Sequence, residues 1–422
     1  MFERKINMKK ALIITGIVLA SLALIFGIFA VVNQICEQQM NKYIDTFSAV
    51  EVEEPLAPVF ENGEYYFTTD REFKVMQLTD VHIGGGFLSI DEDKKAINAL
   101  AAMIAEEKPD LIIVTGDVSF AVPYISGTIN NAIAHRMFMR LMERLGIPWT
   151  IVFGNHDSEA YNYYNRATVS KMYDDEALEH CLFIPDGDLS GEGNHVINVK
   201  NTAGLITQSF YMIDTHSYTD KDPLGILWDY DYVKEDQIAW YANKIEAHKA
   251  VNAAVYATLS DEQKTEHADL LEPKSLMFMH IPLTEVKAAY DEYVANNRQN
   301  TENVTYVRGF DGETDEVVYC SRTDVALFET VLEKGSTKAL FYGHDHLNNF
   351  VLEYKGIRLS YGYSIDYLAY SGIDKQGYHR GCTVITCEPS GDATIAHENY
   401  YQDKYVPLYE KEIVNMEPYK AE

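Results

Sequence analysis

Residues Trp149-Thr-Ile-Val-Phe-Gly-Asn-His-Asp157 decide how this chain reads. The apolar run Trp149 to Phe153 predicts a buried strand, and Gly154 allows a sharp turn at its end. The turn then presents Asn155, His156 and Asp157 in a row. Asn155 offers a neutral oxygen ligand, and His156 an acid/base that titrates near neutrality. Outward from this stretch, four other apolar runs end the same way. Phe73 to Leu78 leads into Thr79-Asp80-Val81-His82, and Leu111 to Thr115 into Gly116-Asp117. Ser275 to Met279 ends at His280, and Lys338 to Tyr342 ends in Gly343-His344-Asp345-His346. Each set starts within a few residues of its strand, so all are expected along one rim of a sheet, where ligands bind. Side chains of the extended chain alternate with period two, so Asp80-x-His82 and His344-x-His346 each put two ligands on one side.

The donor types set the chemistry. Carboxylate, amide and imidazole without thiolate suit first-row ions such as Fe, Mn, Zn or Co, and not an all-oxygen calcium cage. With His156 set aside, the groups are Asp80, His82, Asp117, Asn155, His280, His344 and His346. One tetrahedral zinc takes about four ligands. The set fits two ions sharing a carboxylate, a pair about 3.5–4 Å apart that activates water and clamps phosphoryl oxygens.

These motifs, in this order, resemble the five motifs of the calcineurin-like metallophosphoesterases, over about residues 73 to 365. The resemblance implies an α/β fold, a four-layer αββα sandwich with a dinuclear centre. It implies that Asp80, His82 and His346 hold one ion, that Asn155, His280 and His344 hold the other, and that Asp117 bridges. His156 would stabilise the transition state or protonate the leaving oxygen, with Asp157 orienting it. Phe120 stands where the purple acid phosphatase branch has tyrosine, and His82 where that branch has glycine, so no tyrosinate-to-iron colour is expected. The Leu-Thr-Asp-Val-His start and Asp-Thr-His-Ser at 214–217 resemble yeast and plant membrane-associated or secreted phosphatases that lack the purple site. His216 reads equally as a packed histidine or a substrate-side donor.

The N-terminus is separate in character. Residues 1–10 are basic, with Arg4, Lys5, Lys9 and Lys10, and Ala11 to Val32 carries no charge. At about 1.5 Å per residue that run spans a hydrocarbon core of roughly 30 Å. It is longer than a signal-peptide core and lacks a clear cleavage site, so 11–33 reads as an uncleaved anchor; cleavage and secretion is the minority reading. The basic flank belongs in the cytoplasm, which puts the rest outside. Residues 34–70 read as a juxtamembrane spacer closed by an Asn62-Gly63 turn, and 71–422 as the catalytic domain.

Ser89 with Glu92 predicts a capping box opening a helix. A second helix is expected over Asn131 to Leu145, stopped by Gly146. The region 158–272 is less legible, with a strand at Phe210 to Ile213 and a helix at Lys234 to Ala250. Short strands follow from Phe350 onward. Alternating βα units and then a strand-rich half predict layered α/β architecture. The formal net charge of −29 repels phosphate backbones and excludes a nucleic-acid partner held by counterion release. Five scattered cysteines, an odd number without a CxxC pair, read as free. Tyr400, Tyr401, Tyr405 and Tyr409 read as sheet-edge packing.

The expected protein is therefore a membrane-anchored, externally facing phosphoesterase. It would hydrolyse a small phosphomonoester by a metal-bridging hydroxide, with a phosphodiesterase as the alternative. The rival from another class is a catalytically silent tethered binding protein. Substrate, metal pair and oligomeric state stay open.

Overall fold

The structure, a computed structural model, describes residues 2–185, 187–313, 316–370, 373 and 379–414. Two sheets lie face to face. One has nine strands in the order β1 (Val59–Glu61), β2 (Glu64–Thr68), β6 (His195–Lys200), β7 (Ile206–Met212), β8 (Lys274–Phe278), β10 (Thr337–Tyr342), β12 (Ile357–Tyr361), β11 (Val351–Tyr354), β9 (Val304–Arg308). The other has five, in the order β14 (Ala393–Asn399), β13 (Gly381–Cys387), β3 (Phe73–Leu78), β4 (Leu111–Thr115), β5 (Trp149–Val152).

The side-chain alternation of the central strands builds the layers. Phe73 and Val75 of β3, and Leu111 and Ile113 of β4, meet Leu276, Phe278, Ala339 and Phe341 of β8 and β10 between the sheets. The residues between them face outward. Met76, Leu78, Ile112 and Val114 pack under α2 (Ile90–Glu107) and α3 (Asn131–Leu145). Met277, Leu340 and Tyr342 pack under the helices Glu235–Thr258, Thr284–Ala295 and Leu327–Lys334. Strands covered on both faces carry near-continuous apolar runs, broken in β3 only by Lys74 and Gln77, which is why these were legible. The result is the four-layer αββα sandwich.

Several details depart from the sequence reading. Helix α1 (Phe2–Ile44) continues from the uncharged run into the stretch read as a spacer. Its apolar part from Leu12 is long enough to cross a membrane, and its last turns dock on the body through buried Asn33, Met40 and Ile44. Arg136 and Arg140 pair with Glu37 and Asp45 at 2.7 and 2.6 Å. The stretch read as a spacer is thus built in. It ends in the β1–β2 hairpin, where Asn62 and Gly63 take φ of 52° and 82°, as an Asn-Gly turn requires. Ser89 makes no capping box with Glu92; its hydroxyl instead bonds Asp93 at 3.0 Å. Asp93 also accepts the Gly84 and Gly85 N–H groups, at 2.8 and 3.0 Å, which ties the loop after His82 to α2. Tyr400 and Tyr405 are core residues, and Tyr409 stacks on Tyr43 of α1 at 4.7 Å. The tail therefore packs on helices and not only at a sheet edge. All five cysteines are free.

One buried histidine gives the fold an acid limit. His195 is wedged between the Gly193 carbonyl and the Thr150 hydroxyl, both at 2.7 Å. Burial pushes its pKa down to about 4, against a partial lift from the Gly193 carbonyl. In the unfolded chain it returns to about 6.5, so between these values only the unfolded state binds the proton. The stabilisation is complete above about pH 6.5 and is lost as pH falls through about 4, a difference of roughly 3 kcal/mol. We expect His195→Gln to flatten the loss of stability between about pH 6.5 and 4, as read by urea unfolding across that window.

Candidate metal centre

The five ligand-bearing strands do not belong to one sheet. β3, β4 and β5 come from the five-stranded sheet, and β8 and β10 from the nine-stranded one. The site therefore lies at the shared edge of the sandwich, where the carboxyl ends of both sheets converge. The two-by-two spacing also works differently from an extended chain. Asp80 and His82 have φ of 51°, Asp117 of 53° and His344 of 78°. These left-handed residues turn the side chains inward just after each strand. Such conformations cost of order 1–3 kcal/mol each and persist only where the surroundings impose them.

Glycine supplies the close approaches. A Cβ on Gly154 would sit 2.1 Å from Asp117 Oδ1, and one on Gly343 would sit 1.9 Å from Thr79 Oγ1. Neither position admits a side chain without dismantling the centre.

Two groups of donors result. Asp80, His82, Asp117 and His346 form one, and Asp117, His280 and His344 the other, each with its ligand atoms within 4.8 Å of one another. Asp117 belongs to both. Its Oδ2 lies 3.4 Å from His82 Nε2 and 3.0 Å from His280 Nε2. Asn155 joins the second group through Oδ1, 3.2 Å from His280 Nε2. The Tyr218 hydroxyl takes the Asn155 NH₂ at 3.0 Å, which turns the amide oxygen toward the site. The seven residues are all buried.

Whether these residues fit metal ions is tested by their unmet polar atoms. Asp117 Oδ2, His82 Nε2 and His344 Nε2 are buried and lack a hydrogen-bond partner. Buried polar atoms without partners are costly in a folded protein. Here they gather around Asp117, each within 4.8 Å of the other donor atoms of its group, as the donors of a metal centre do. One imidazole is hydrogen-bonded from behind, and two others face a carboxylate there without a hydrogen bond to it. His280 Nδ1 donates to the Thr115 carbonyl at 2.8 Å, leaving Nε2 as the ligand atom. Asp366 lies 3.7 Å from His82 Nδ1 and 3.3 Å from His346 Nδ1. A carboxylate behind a ligating histidine fixes its tautomer and raises its basicity.

The charges bear this out. Burial pushes Asp117 up, but the imidazoles of His280 and His156 outweigh it and hold the carboxyl well below the usual range. Burial pushes His280 and His346 down. Asp117 lifts the first to about 9, and Asp366 with Asp80 lifts the second to about 10. His344 goes well below its ordinary value through burial and the neighbouring His280. A site that binds so many imidazoles around two carboxylates is built to hold positive charge.

His156 lies beside this cluster, its ring 5.6 Å from His82 and 5.0 Å from Phe120. Its backbone N–H donates to Asp117 Oδ1 at 2.8 Å. Asp157 does not orient it. Both Asp157 oxygens are taken by backbone N–H groups, of Gly154 and Asp117 on one side and Ser119 on the other, at 2.8, 3.1 and 3.0 Å. Asp157 shapes the turn, and Glu159 holds His156, its Oε1 accepting from Nδ1 at 2.7 Å. His216 is bonded to Gln237 at 3.0 Å, the packed reading. Asp214 of the same segment is buried and pairs with Arg166, whose second nitrogen donates to the Gly154 carbonyl at 2.6 Å.

Three contributors escaped the sequence reading: Glu159, Asp366 and Tyr218. Asp366 had a signal, since it follows strand β12 as Asp80 follows β3. Glu159 and Tyr218 had none, because their partners are set by how loops fold.

The sequence also matches a family of known proteins. The profile of the calcineurin-like phosphoesterases matches residues 73–348. A relative from Arabidopsis thaliana, "Probable inactive purple acid phosphatase 28", is 27% identical over 76% of each chain. "Phosphatase DCR2" of Saccharomyces cerevisiae is 24% identical over 68% of this chain and 46% of its own. A dimetal phosphatase from Danio rerio aligns with TM-score 0.47 at 9% identity, over 79% of this chain and 98% of that one. The profile match covers most of the body and all but the last of the ligand-bearing and ligand-orienting residues described above, so the chain belongs to the calcineurin-like phosphoesterases.

Proposed function

We propose that this chain is a membrane-anchored phosphoesterase that hydrolyses a phosphomonoester with two metal ions, its catalytic body facing outward. The observation that carries this reading is the shared carboxylate: Asp117 lies in both donor groups, and every motif position holds a competent ligand. Asp80, His82 and His346 would hold one ion and Asn155, His280 and His344 the other, with Asp117 between them. Fe, Mn, Zn and Co all suit these donors. When bound, the ions supply an activated water and a clamp for the phosphoryl oxygens.

The chain's own part is to place and hold a proton. His156 donates Nδ1–H to Glu159, which leaves Nε2 to protonate the departing oxygen. Burial pushes His156 down, but Asp117 and Glu159 lift it above its ordinary value, which favours the acid form near neutrality. Asp157 holds the turn that carries His156, Asp366 stands behind His82 and His346, and Tyr218 turns the Asn155 amide. The basic residues before Ala11 support a cytoplasmic N-terminus. The charge of −29 disfavours nucleic acid, and an anionic phosphate ester would need the local positive charge that bound metal supplies.

A second reading has its own support: the Arabidopsis relative is named probable inactive. On that reading the chain is a tethered binding protein. The test is metal-loaded protein assayed on p-nitrophenyl phosphate and bis-p-nitrophenyl phosphate. Chelator-sensitive turnover of the monoester is the expected result. Turnover of the diester alone selects phosphodiesterase, and turnover of neither, with about two ions bound, selects the binding protein.

A further inference from the structure

Between helix α1 and the body lies a cavity of about 600 Å³ that none of the metal-centre residues line. This is the size range of small-molecule sites. One wall is helix α1, with Phe26, Phe29 and Ala30; the other is the body, with Phe87, Leu88 and Ile133. Phe29 stacks on Phe87 at 5.6 Å, so the helix and the body close over it together. One end is polar, where Asn33 bonds Gly127 and Phe87 and the Glu37–Arg136 pair stands at the rim.

The body wall is made by the same loops that carry the metal ligands. Phe87 and Leu88 follow His82, and residues 123–130 follow Asp117. Tyr163, also on the wall, follows His156. The three loops are braced to one another. Ile83 N–H bonds Val118 O at 2.9 Å, Leu88 N–H bonds Ser126 O at 3.1 Å and Tyr163 N–H bonds Ile129 O at 3.0 Å. A molecule in the cavity is therefore held by the scaffold that sets the ligand geometry.

We propose that this cavity takes the hydrocarbon chain of an amphiphile from the membrane, so that the substrate is a lipid phosphate ester. The inference rests on the anchored phosphoesterase reading above. The occupant is argued from continuity. The exposed apolar run of α1 reaches the cavity without a break, so a chain lying along the anchor passes from bilayer to cavity inside apolar surroundings. Leu88 at the mouth is 51% exposed and Tyr163 64%, an apolar rim of the kind that marks an interaction site. Charge argues the same way. A chain with a formal net charge of −29 does not attract a free anionic ester, and a buried tail supplies the affinity that charge withholds.

The test uses the full chain in phosphatidylcholine vesicles with metal supplied. Binding is read by the fluorescence of a dansyl-labelled undecanoic acid displaced by dodecyl phosphate. Turnover is read on dodecyl phosphate and on p-nitrophenyl phosphate. Ala30→Trp fills the cavity from an exposed helix position, and Leu88→Glu puts a charge at its mouth. In both variants we expect probe affinity and dodecyl phosphate kcat/KM to fall about tenfold, with p-nitrophenyl phosphate turnover within about twofold of wild type. Unchanged probe binding in both variants overturns the cavity's role. A wild type that hydrolyses ethyl phosphate as well as dodecyl phosphate overturns the lipid substrate while leaving the phosphoesterase intact. Probe capture without turnover of any ester sinks the phosphoesterase reading and leaves the chain-binding site standing.

Discussion

Asp117→Asn is expected to abolish turnover, by on the order of a thousandfold or more, and to leave the fold intact. The substitution is nearly isosteric. The amide oxygen can keep the bond from the His156 backbone, which now goes to Oδ1 at 2.8 Å. The NH₂ then replaces Oδ2, the atom that faces both His82 and His280. A donor would stand where both ions need a ligand. A metal pair contributes several kcal/mol of charge stabilisation, and about 1.4 kcal/mol is a tenfold change in rate. The check combines metal content per chain with p-nitrophenyl phosphate turnover and far-UV circular dichroism. Two ions retained and undiminished activity would show that Asp117 is not shared between ions.

The second large effect is expected at His156. His156→Asn should lower kcat by about 10²- to 10⁴-fold, the usual worth of a placed general acid. Metal content should not change, because His156 belongs to neither donor group. The loss should be greater for an alkyl phosphate than for p-nitrophenyl phosphate, whose leaving group needs less help from a proton. Glu159→Gln separates this role from a packing role. Glu159 raises the pKa of His156 through its hydrogen bond and charge. A general acid works while protonated, so activity declines as pH rises through its pKa. Without Glu159 that pKa drops, and the alkaline limb of the kcat profile should move to lower pH. A profile that does not move, with only a uniform loss, would assign Glu159 to packing alone.

These two residues show how unevenly the centre was written in the chain. His156 and the seven candidate donors were read from the chain because each follows an apolar strand, and strand ends are where a layered α/β fold gathers chemistry. Asp157 was misread for the same reason. Adjacent to His156 in sequence, it turns away to cap three backbone N–H groups, and Glu159, one 3₁₀ turn on, reaches the imidazole instead. Neighbours along a chain seldom face each other once it coils. Asp366 lies 284 residues from His82 along the chain yet only 3.7 Å away.

The chain by itself determined what strong local signals can determine. Near-continuous apolar runs announced strands covered on both faces, and the Asn62-Gly63 turn and the Gly146 helix stop appear where expected, Gly146 with φ of 75°. The uncharged N-terminal run announced a helix long enough for a membrane. Tertiary structure decided the rest. It split the ligand strands between two sheets, because pairing depends on which edges meet. It turned Asp80, His82, Asp117 and His344 into left-handed backbone, where alternation in an extended chain no longer applies. It also carried α1 past the expected boundary and docked it on the body through Asn33, Met40 and Ile44. Burial there is a property of the partner surface formed by α2 and α3, and no stretch of α1 encodes that surface alone.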